Sequence, residues 1–192
     1  MPKDNPPLHR LSVAEASSAL RGGEVVAYPT EAVWGLGCDP FSESAVIKLL
    51  GLKGRPVDKG LILVAANVAQ IERYLDANLP AEKNALLETL SEQPVTWLVP
   101  VNRELVPAWI TGSYPNLAVR ISHHPLVQAL CLAFGGPIVS TSANPAGLPP
   151  AKTAAEVRRY FGNQIPLCAG ETGNAARPST IRDLLTGEVL RE

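Results

Sequence analysis

Lys53-Gly54-Arg55-Pro56-Val57-Asp58-Lys59-Gly60 runs directly into Leu61-Ile62-Leu63-Val64, a cationic turn followed by four consecutive apolar residues. Upstream, Ser42 is placed to cap a helix whose Ala45, Val46, Leu49 and Leu50 fall on one face. A helix, a tight Gly/Pro turn and a buried strand in succession indicate a sheet covered by helices rather than a helical bundle. Three long cations on a path fixed by Gly and Pro suit a polyanion or a carboxylate. In isolation, a turn that keeps a helix end solvated reads the same way.

The same alternation extends in both directions. Leu11, Ser12 and Glu15 form a helix-start signature, and Gly22-Gly23 stops that helix. Residues 24–28 read as a strand ended by Pro29, and Trp34 to Asp39 as a bend rich in glycine. After the 61–64 strand come a short helix capped by Asn67, a helix over Pro80 to Leu90 with Ala81, Leu86 and Leu90 on its buried side, and a strand over 95–99. A short helix is expected around 105–110, a strand at 117–121, a helix opened by Pro125, and a strand starting at Ile138. Thr153 and Glu156 open a further helix, and Thr186-Gly187 turns a terminal hairpin. The pattern fixes a mixed α/β class without fixing strand order.

Several polar groups fall where strands give way to turns, a common place for ligand contacts. Thr30 follows the first strand, and a local backbone cap competes equally with ligand binding there. Arg120 interrupts the apolar 117–121 strand, either facing outward on an edge strand or directed at a buried anion. Ser140, Ser142 and Asn144 share the period of an extended chain, so they either cap a turn or present two hydroxyls and an amide to one ligand. Ser179 and Arg182 either make a structural turn or complete an anion pocket.

Composition narrows the chemistry. The chain has 192 residues and is 46% hydrophobic, which argues against disorder, and no apolar run reaches membrane-spanning length. Its 17 basic and 18 acidic side chains nearly cancel, so bulk charge does not mark a nucleic-acid binder. Cys38, Cys131 and Cys168 have neither zinc nor CxxC spacing and read as reduced, buried thiols. The glycines match neither GxGxxG nor the GK[ST] phosphate loop, and Ser142 lies in no GxSxG elbow. The polar, Pro-rich start lacks a secretory segment, so a cytoplasmic setting is expected.

Taken together, Tyr28-Pro29-Thr30-Glu31-Ala32-Val33-Trp34-Gly35-Leu36-Gly37-Cys38-Asp39, Lys53-Gly54-Arg55-Pro56, Ala118-Val119-Arg120-Ile121, Ser140-Thr141-Ser142-Ala143-Asn144 and Pro178-Ser179-Thr180-Ile181-Arg182-Asp183 resemble the YrdC/Sua5 family, in its short form. The resemblance implies a YrdC/RibB-like fold of α/β (mixed α+β) class, a three-layer twisted mixed sheet with flanking helices around a concave cleft. Residues 1–10 would be a tail and 11–192 a single domain, leaving no room for the extra C-terminal domain of the longer form. The implied activity joins L-threonine, bicarbonate or CO2, and ATP into threonylcarbamoyl-AMP and pyrophosphate, for the t6A modification at adenosine 37 of ANN-decoding tRNAs. On this resemblance Lys53, Arg55, Ser142 and Asn144 are expected at the reacting groups. Thr30, Lys59, Arg120 and Ser140 would bind threonine or its carbamate, and Arg55, Lys59, Asn116, Ser142, Ser179 and Arg182 would bind ATP. Mg2+ is expected to accompany ATP, with no protein metal site and no tightly bound organic cofactor. TsaD, TsaB and TsaE are implied as pathway partners, and no membrane is expected. The main alternative is a non-catalytic protein that binds double-stranded RNA or tRNA through the concave face.

Overall fold

The computed structural model describes residues 10–89, 91 and 93–191. Residues 1–9 of the expected tail and Leu90 of the expected 80–90 helix lie outside these. Helix α1 (Val13–Arg21) begins at the capping box read from the sequence, with the Ser12 and Glu15 side chains bonded reciprocally to each other's backbone N–H. Strand β1 (Val26–Pro29) follows, but residues 34–37 are not the expected bend. They form β2 (Trp34–Gly37), antiparallel to β1 with Ala27 opposite Leu36. The glycines serve a close approach rather than a turn, since a Cβ on Gly37 would lie 2.5 Å from the Val139 carbonyl and 2.7 Å from the Tyr28 ring.

Helix α2 (Glu43–Lys53) starts with the Ser42 side chain accepting from Ala45 N–H and ends at Gly54, whose φ of 59° is the left-handed cap that glycine adopts without strain. One turn of 3-10 helix, Val57–Lys59, then leads into β3 (Ile62–Ala65). The remaining elements are α3 (Ala81–Leu86), β4 (Val95–Pro100), α4 (Ala108–Thr111), β5 (Asn116–Ile121), α5 (Pro125–Phe134), β6 (Ile138–Ser142), α6 (Ala154–Phe161), β7 (Thr180–Asp183) and β8 (Val189–Arg191). In α3, Ala81 and Leu86 are exposed, against expectation, and Leu87 just beyond the helix is the buried residue. So short a helix presents no sustained apolar face.

The eight strands form one sheet in the order β1-β2-β6-β3-β5-β4-β7-β8, mixed because β3–β5 and β4–β7 are parallel and the other pairs antiparallel. The alternation of strand side chains feeds two cores. Leu36, Leu63, Val119 and Val139 pack with Val46 and Leu49 of α2 and Val157 and Phe161 of α6. Val26, Tyr28, Val64 and Ile138 pack with Ala16 and Leu20 of α1 and Val127 and Leu130 of α5. The two helix layers therefore cover opposite faces of a twisted mixed sheet.

Candidate active site

The cover on the α1/α5 face stops short of the strand ends. Arg120 is the register partner of Val64, and Ser140 lies two residues beyond Ile138, so both polar side chains share the face whose apolar part is packed by helices. There the surface opens into a cavity of about 270 Å³, walled by Thr30, Glu31, Arg55, Arg120, Ser140, Ser142, Ser179 and Arg191 and floored by apolar residues including Trp34 and Ile62.

Arg120 is only 8% exposed, and β5 runs between β3 and β4, so the edge-strand alternative is corrected by the sheet order. One Nη2–H donates to Ser140 Oγ at 3.3 Å, while the buried Nε has no hydrogen-bond partner. Beside it, Glu31 Oε1 accepts from Ser122 Oγ at 2.6 Å, and Oε2 is buried without a partner. Burial pushes the Glu31 carboxyl up, but the Arg120 charge and the Ser122 hydrogen bond outweigh it and hold the group below the usual carboxylate range. Thr30 spends its hydroxyl hydrogen on the Val33 carbonyl at 2.7 Å, which leaves the oxygen lone pairs on the cavity wall. Glu31 also walls an adjoining cavity of about 400 Å³ that includes Trp97, His123 and His124.

The cationic turn divides its work. Arg55 reaches the cavity, with Nη2 donating to the Lys59 and Gly60 carbonyls at 3.1 and 2.9 Å. Burial pulls its pKa below the ordinary range, Tyr114 works the other way, and the like charge of Arg191 adds to the fall. The turn itself is fixed from outside: Leu61 N–H donates to the Ile110 carbonyl at 2.8 Å and Ser113 N–H to the Asp58 carbonyl at 3.0 Å. Lys53 does not wall the cavity. Only 4% exposed, it lies behind the wall, and its Nζ donates to the carbonyls of Ser142 and Asn144, the latter at 2.7 Å. Burial, and secondarily the Arg55 charge, pull its pKa from 10.5 to about 8.

Of the other expected site residues, Ser142 and Ser179 are brought to the cavity, and Ser179 Oγ lies 2.7 Å from Thr96 Oγ1. Asn144 closes its own loop instead, donating from Nδ2 to the Pro145 and Leu148 carbonyls at 3.0 and 2.7 Å. Lys59 is exposed on the turn, Asn116 starts β5 opposite Pro100, and neither lines the cavity. Arg182 is exposed as well, for a reason of parity. It lies three positions beyond Ser179, and an odd spacing along an extended strand puts the two on opposite faces.

Sequence reading missed Arg191, which enters from β8 by pairing with β7 at Ile181. The terminal hairpin was legible, but not its docking against β4 through the parallel β4–β7 pair. The site thus offers guanidinium groups at Arg55, Arg120 and Arg191, hydroxyls at Ser140, Ser142 and Ser179, and one ionised carboxylate. This donor set suits a phosphate-bearing anion beside a small polar substrate, held by charge and hydrogen bonds rather than by covalent capture. The described thiols are all buried, and burial raises Cys38 and Cys131 to about 12 and Cys168 to about 11. Among the described residues no His/Cys/Asp/Glu group could hold a metal ion.

Comparison with known proteins shows which family the chain belongs to. The family model Sua5_yciO_yrdC, described as "Telomere recombination", matches residues 18–192. The chain is 56% identical over 177 residues to a threonylcarbamoyl-AMP synthase of Cellvibrio japonicus, covering 92% of this chain and 93% of that protein. It is 51% identical over 188 residues to the threonylcarbamoyl-AMP synthase of Escherichia coli K12, covering 96% and 97%. Among solved structures, P. abyssi Sua5 complexed with L-threonine superposes with a TM-score of 0.83 at 32% identity, over 92% of this chain and 52% of that one. The present chain therefore spans about half the length of that Sua5 protein.

Proposed function

The chain belongs to the Sua5/YciO/YrdC family, and from that membership we infer that its cavity is where L-threonine, bicarbonate or CO2, and ATP become threonylcarbamoyl-AMP and pyrophosphate. The protein is a nucleotidyltransferase acting in t6A biosynthesis, and it binds ATP as a substrate. The observation that carries the site assignment is the convergence of three guanidinium groups, Arg55, Arg120 and Arg191, on one cavity, with Arg120 bonded to Ser140.

In the reaction, a carbamate oxygen of N-carboxythreonine attacks the α-phosphorus of ATP, the bond from that phosphorus to the β-bridging oxygen breaks, and pyrophosphate leaves. Both partners are anionic, so cations fixed in place before the reaction lower the barrier to their approach and stabilise the charge on the transferring group. We assign Arg55 and Arg191 to the phosphates, with Ser142 and Ser179 hydrogen-bonding the nucleotide. Arg120, Ser140 and Thr30 are assigned to threonine, Arg120 taking its carboxylate. Lys53 acts one step back, fixing the carbonyls that follow Ser142 and so the position of that hydroxyl. ATP would enter as its Mg2+ complex, in which the ion would neutralise and align the phosphate oxygens. The proposed setting is the cytoplasm, where the adenylate would pass to TsaD acting with TsaB and TsaE.

Incubating the purified protein with ATP, Mg2+, bicarbonate and labelled L-threonine should yield threonylcarbamoyl-AMP and pyrophosphate in equal amounts. Folded protein that forms neither over a range of ionic conditions would defeat the reading.

A further inference from the structure

Among the described residues Glu31 is the one acidic wall residue of the cavity, and it is held there from three sides. Its Oε1 accepts from Ser122 Oγ at 2.6 Å. Its backbone carbonyl accepts from Ala175 N–H at 3.0 Å, and the carbonyl of the preceding Thr30 accepts from Gly173 N–H at 2.9 Å. The contact with 173–175 is tight, because a Cβ on Gly173 would lie 2.8 Å from the Glu31 carbonyl oxygen. Such fixation is more than a solvated surface carboxylate needs.

Two unsatisfied atoms in this corner are complementary, while a third, His124 Nδ1, belongs to the adjoining cavity that Glu31 also walls. Glu31 Oε2 is a buried acceptor without a donor, and Arg120 Nε is a buried donor without an acceptor. The two residues wall the same cavity and feel each other's charge, yet they form no direct ion pair. Buried polar groups left unpaired in a folded protein call for a missing partner. A molecule carrying an anion and a cation on adjacent atoms would satisfy both, its carboxylate on Arg120 and its ammonium on Glu31. An α-amino acid zwitterion has that constitution.

We propose that Glu31 selects the amino-acid substrate by receiving its α-ammonium group, opposite the carboxylate held by Arg120. The assignment rests on the reading of this cavity as the threonine site and adds the group that distinguishes an amino acid from a hydroxy acid of the same size. Because the Ser122 hydrogen bond and Arg120 keep Glu31 ionised, the carboxylate is a strong acceptor for a cation and a weak base. Its role is therefore positioning and selection rather than removal of a proton.

The test compares L-threonine with 2,3-dihydroxybutanoate, which carries a hydroxyl in place of the ammonium, by calorimetric titration in the presence of a non-hydrolysable ATP analogue. The native protein should bind threonine at least about tenfold more tightly than the hydroxy acid, as expected for a hydrogen bond between charged groups. Glu31→Gln, which keeps the acceptor for Ser122, should reduce threonine binding to the level of the hydroxy acid and leave the hydroxy acid unchanged. In turnover, KM for threonine should rise while KM for ATP stays within twofold. Equal affinity of the native protein for the two ligands would overturn the proposal, as would Glu31→Gln weakening both alike or raising KM for ATP instead. The native comparison needs no variant, so it decides even if Glu31→Gln folds poorly. Failure of the native protein to make threonylcarbamoyl-AMP defeats the proposed function. Normal synthesis with an unchanged threonine KM in Glu31→Gln defeats only the role given to this carboxylate.

Discussion

Lys53 Nζ lies 2.7 Å from the carbonyl oxygen of Asn144, a residue 91 positions later, and the same nitrogen also donates to the Ser142 carbonyl. The last residue of α2 therefore fastens the outgoing end of β6, and a backbone hydrogen bond from Ala146 N–H to the Lys53 carbonyl at 2.7 Å reinforces the join. Lys53→Ala should lower both turnover and the melting temperature, because it strands two carbonyls in a buried setting. Removing one charged hydrogen bond costs about 1.5–3 kcal/mol. Thermal denaturation alongside product formation checks this, and a variant that melts like the native protein would show the fastening to be dispensable.

Arg55→Ala should behave differently. Its hydrogen bonds go to the half-exposed turn at Lys59 and Gly60, and its charge faces the cavity. The expected result is a rise of about tenfold or more in KM for ATP, the loss of one charge-assisted contact, with little change in melting temperature. Steady-state kinetics with ATP varied at saturating threonine would show it.

The parity argument for β7 and β8 gives a paired prediction. Arg191→Ala removes a cavity guanidinium and should impair use of ATP by severalfold, more than Arg182→Ala, whose side chain is exposed on the other face. Equal losses in the two variants would contradict the assignment of faces.

Lys53 also sets a pH dependence. Its pKa falls from 10.5 in the unfolded chain to about 8 in the fold. Below pH 8 both states hold the proton, and the buried charge weighs against folding. Between about 8 and 10.5 the unfolded chain binds the proton and the folded one does not, so this residue's contribution makes stability rise with pH. The difference in unfolding free energy between native protein and Lys53→Met, measured from pH 7 to 10.5, should therefore shift in favour of the native protein across that window. A difference that does not change with pH would refute the shift.

Cys38, Cys131 and Cys168 are free and buried, with pKa values raised to about 12, 12 and 11 by burial. Thiolate is the reactive form, so none should react at pH 8 with a thiol reagent such as Ellman's until the protein unfolds. Rapid labelling of any of them in the native state would mean that the cores open more readily than their packing implies.

The elements were readable where local chemistry sets them. Ser12 with Glu15 and Thr153 with Glu156 announce their helices because capping is settled within four residues. Pro29, Thr30 and the Ser140–Ser142 stretch were legible as a strand end and a polar strand exit for the same reason. Contacts between distant segments were not readable. Nothing near Gly35 or Gly37 says that β6 will lie alongside, so their flexibility read as a bend when it serves close strand packing. Lys53 read as a substrate-facing cation because its partners are backbone carbonyls, and no side-chain pattern advertises a carbonyl. Arg191 carried no local signal at all, since its place depends on β7 aligning in parallel with β4.

That parallel alignment governs when binding can begin during synthesis. Once β6 has left the ribosome, the emerging polypeptide already carries Thr30, Arg55, Arg120, Ser140 and Ser142, but Ser179 and Arg191 arrive only with the closing hairpin. Arg191, the second guanidinium assigned to the phosphates beside Arg55, joins the cavity only when this hairpin docks on β4. A chain that stops before the hairpin therefore carries only half of the cationic grip on the triphosphate.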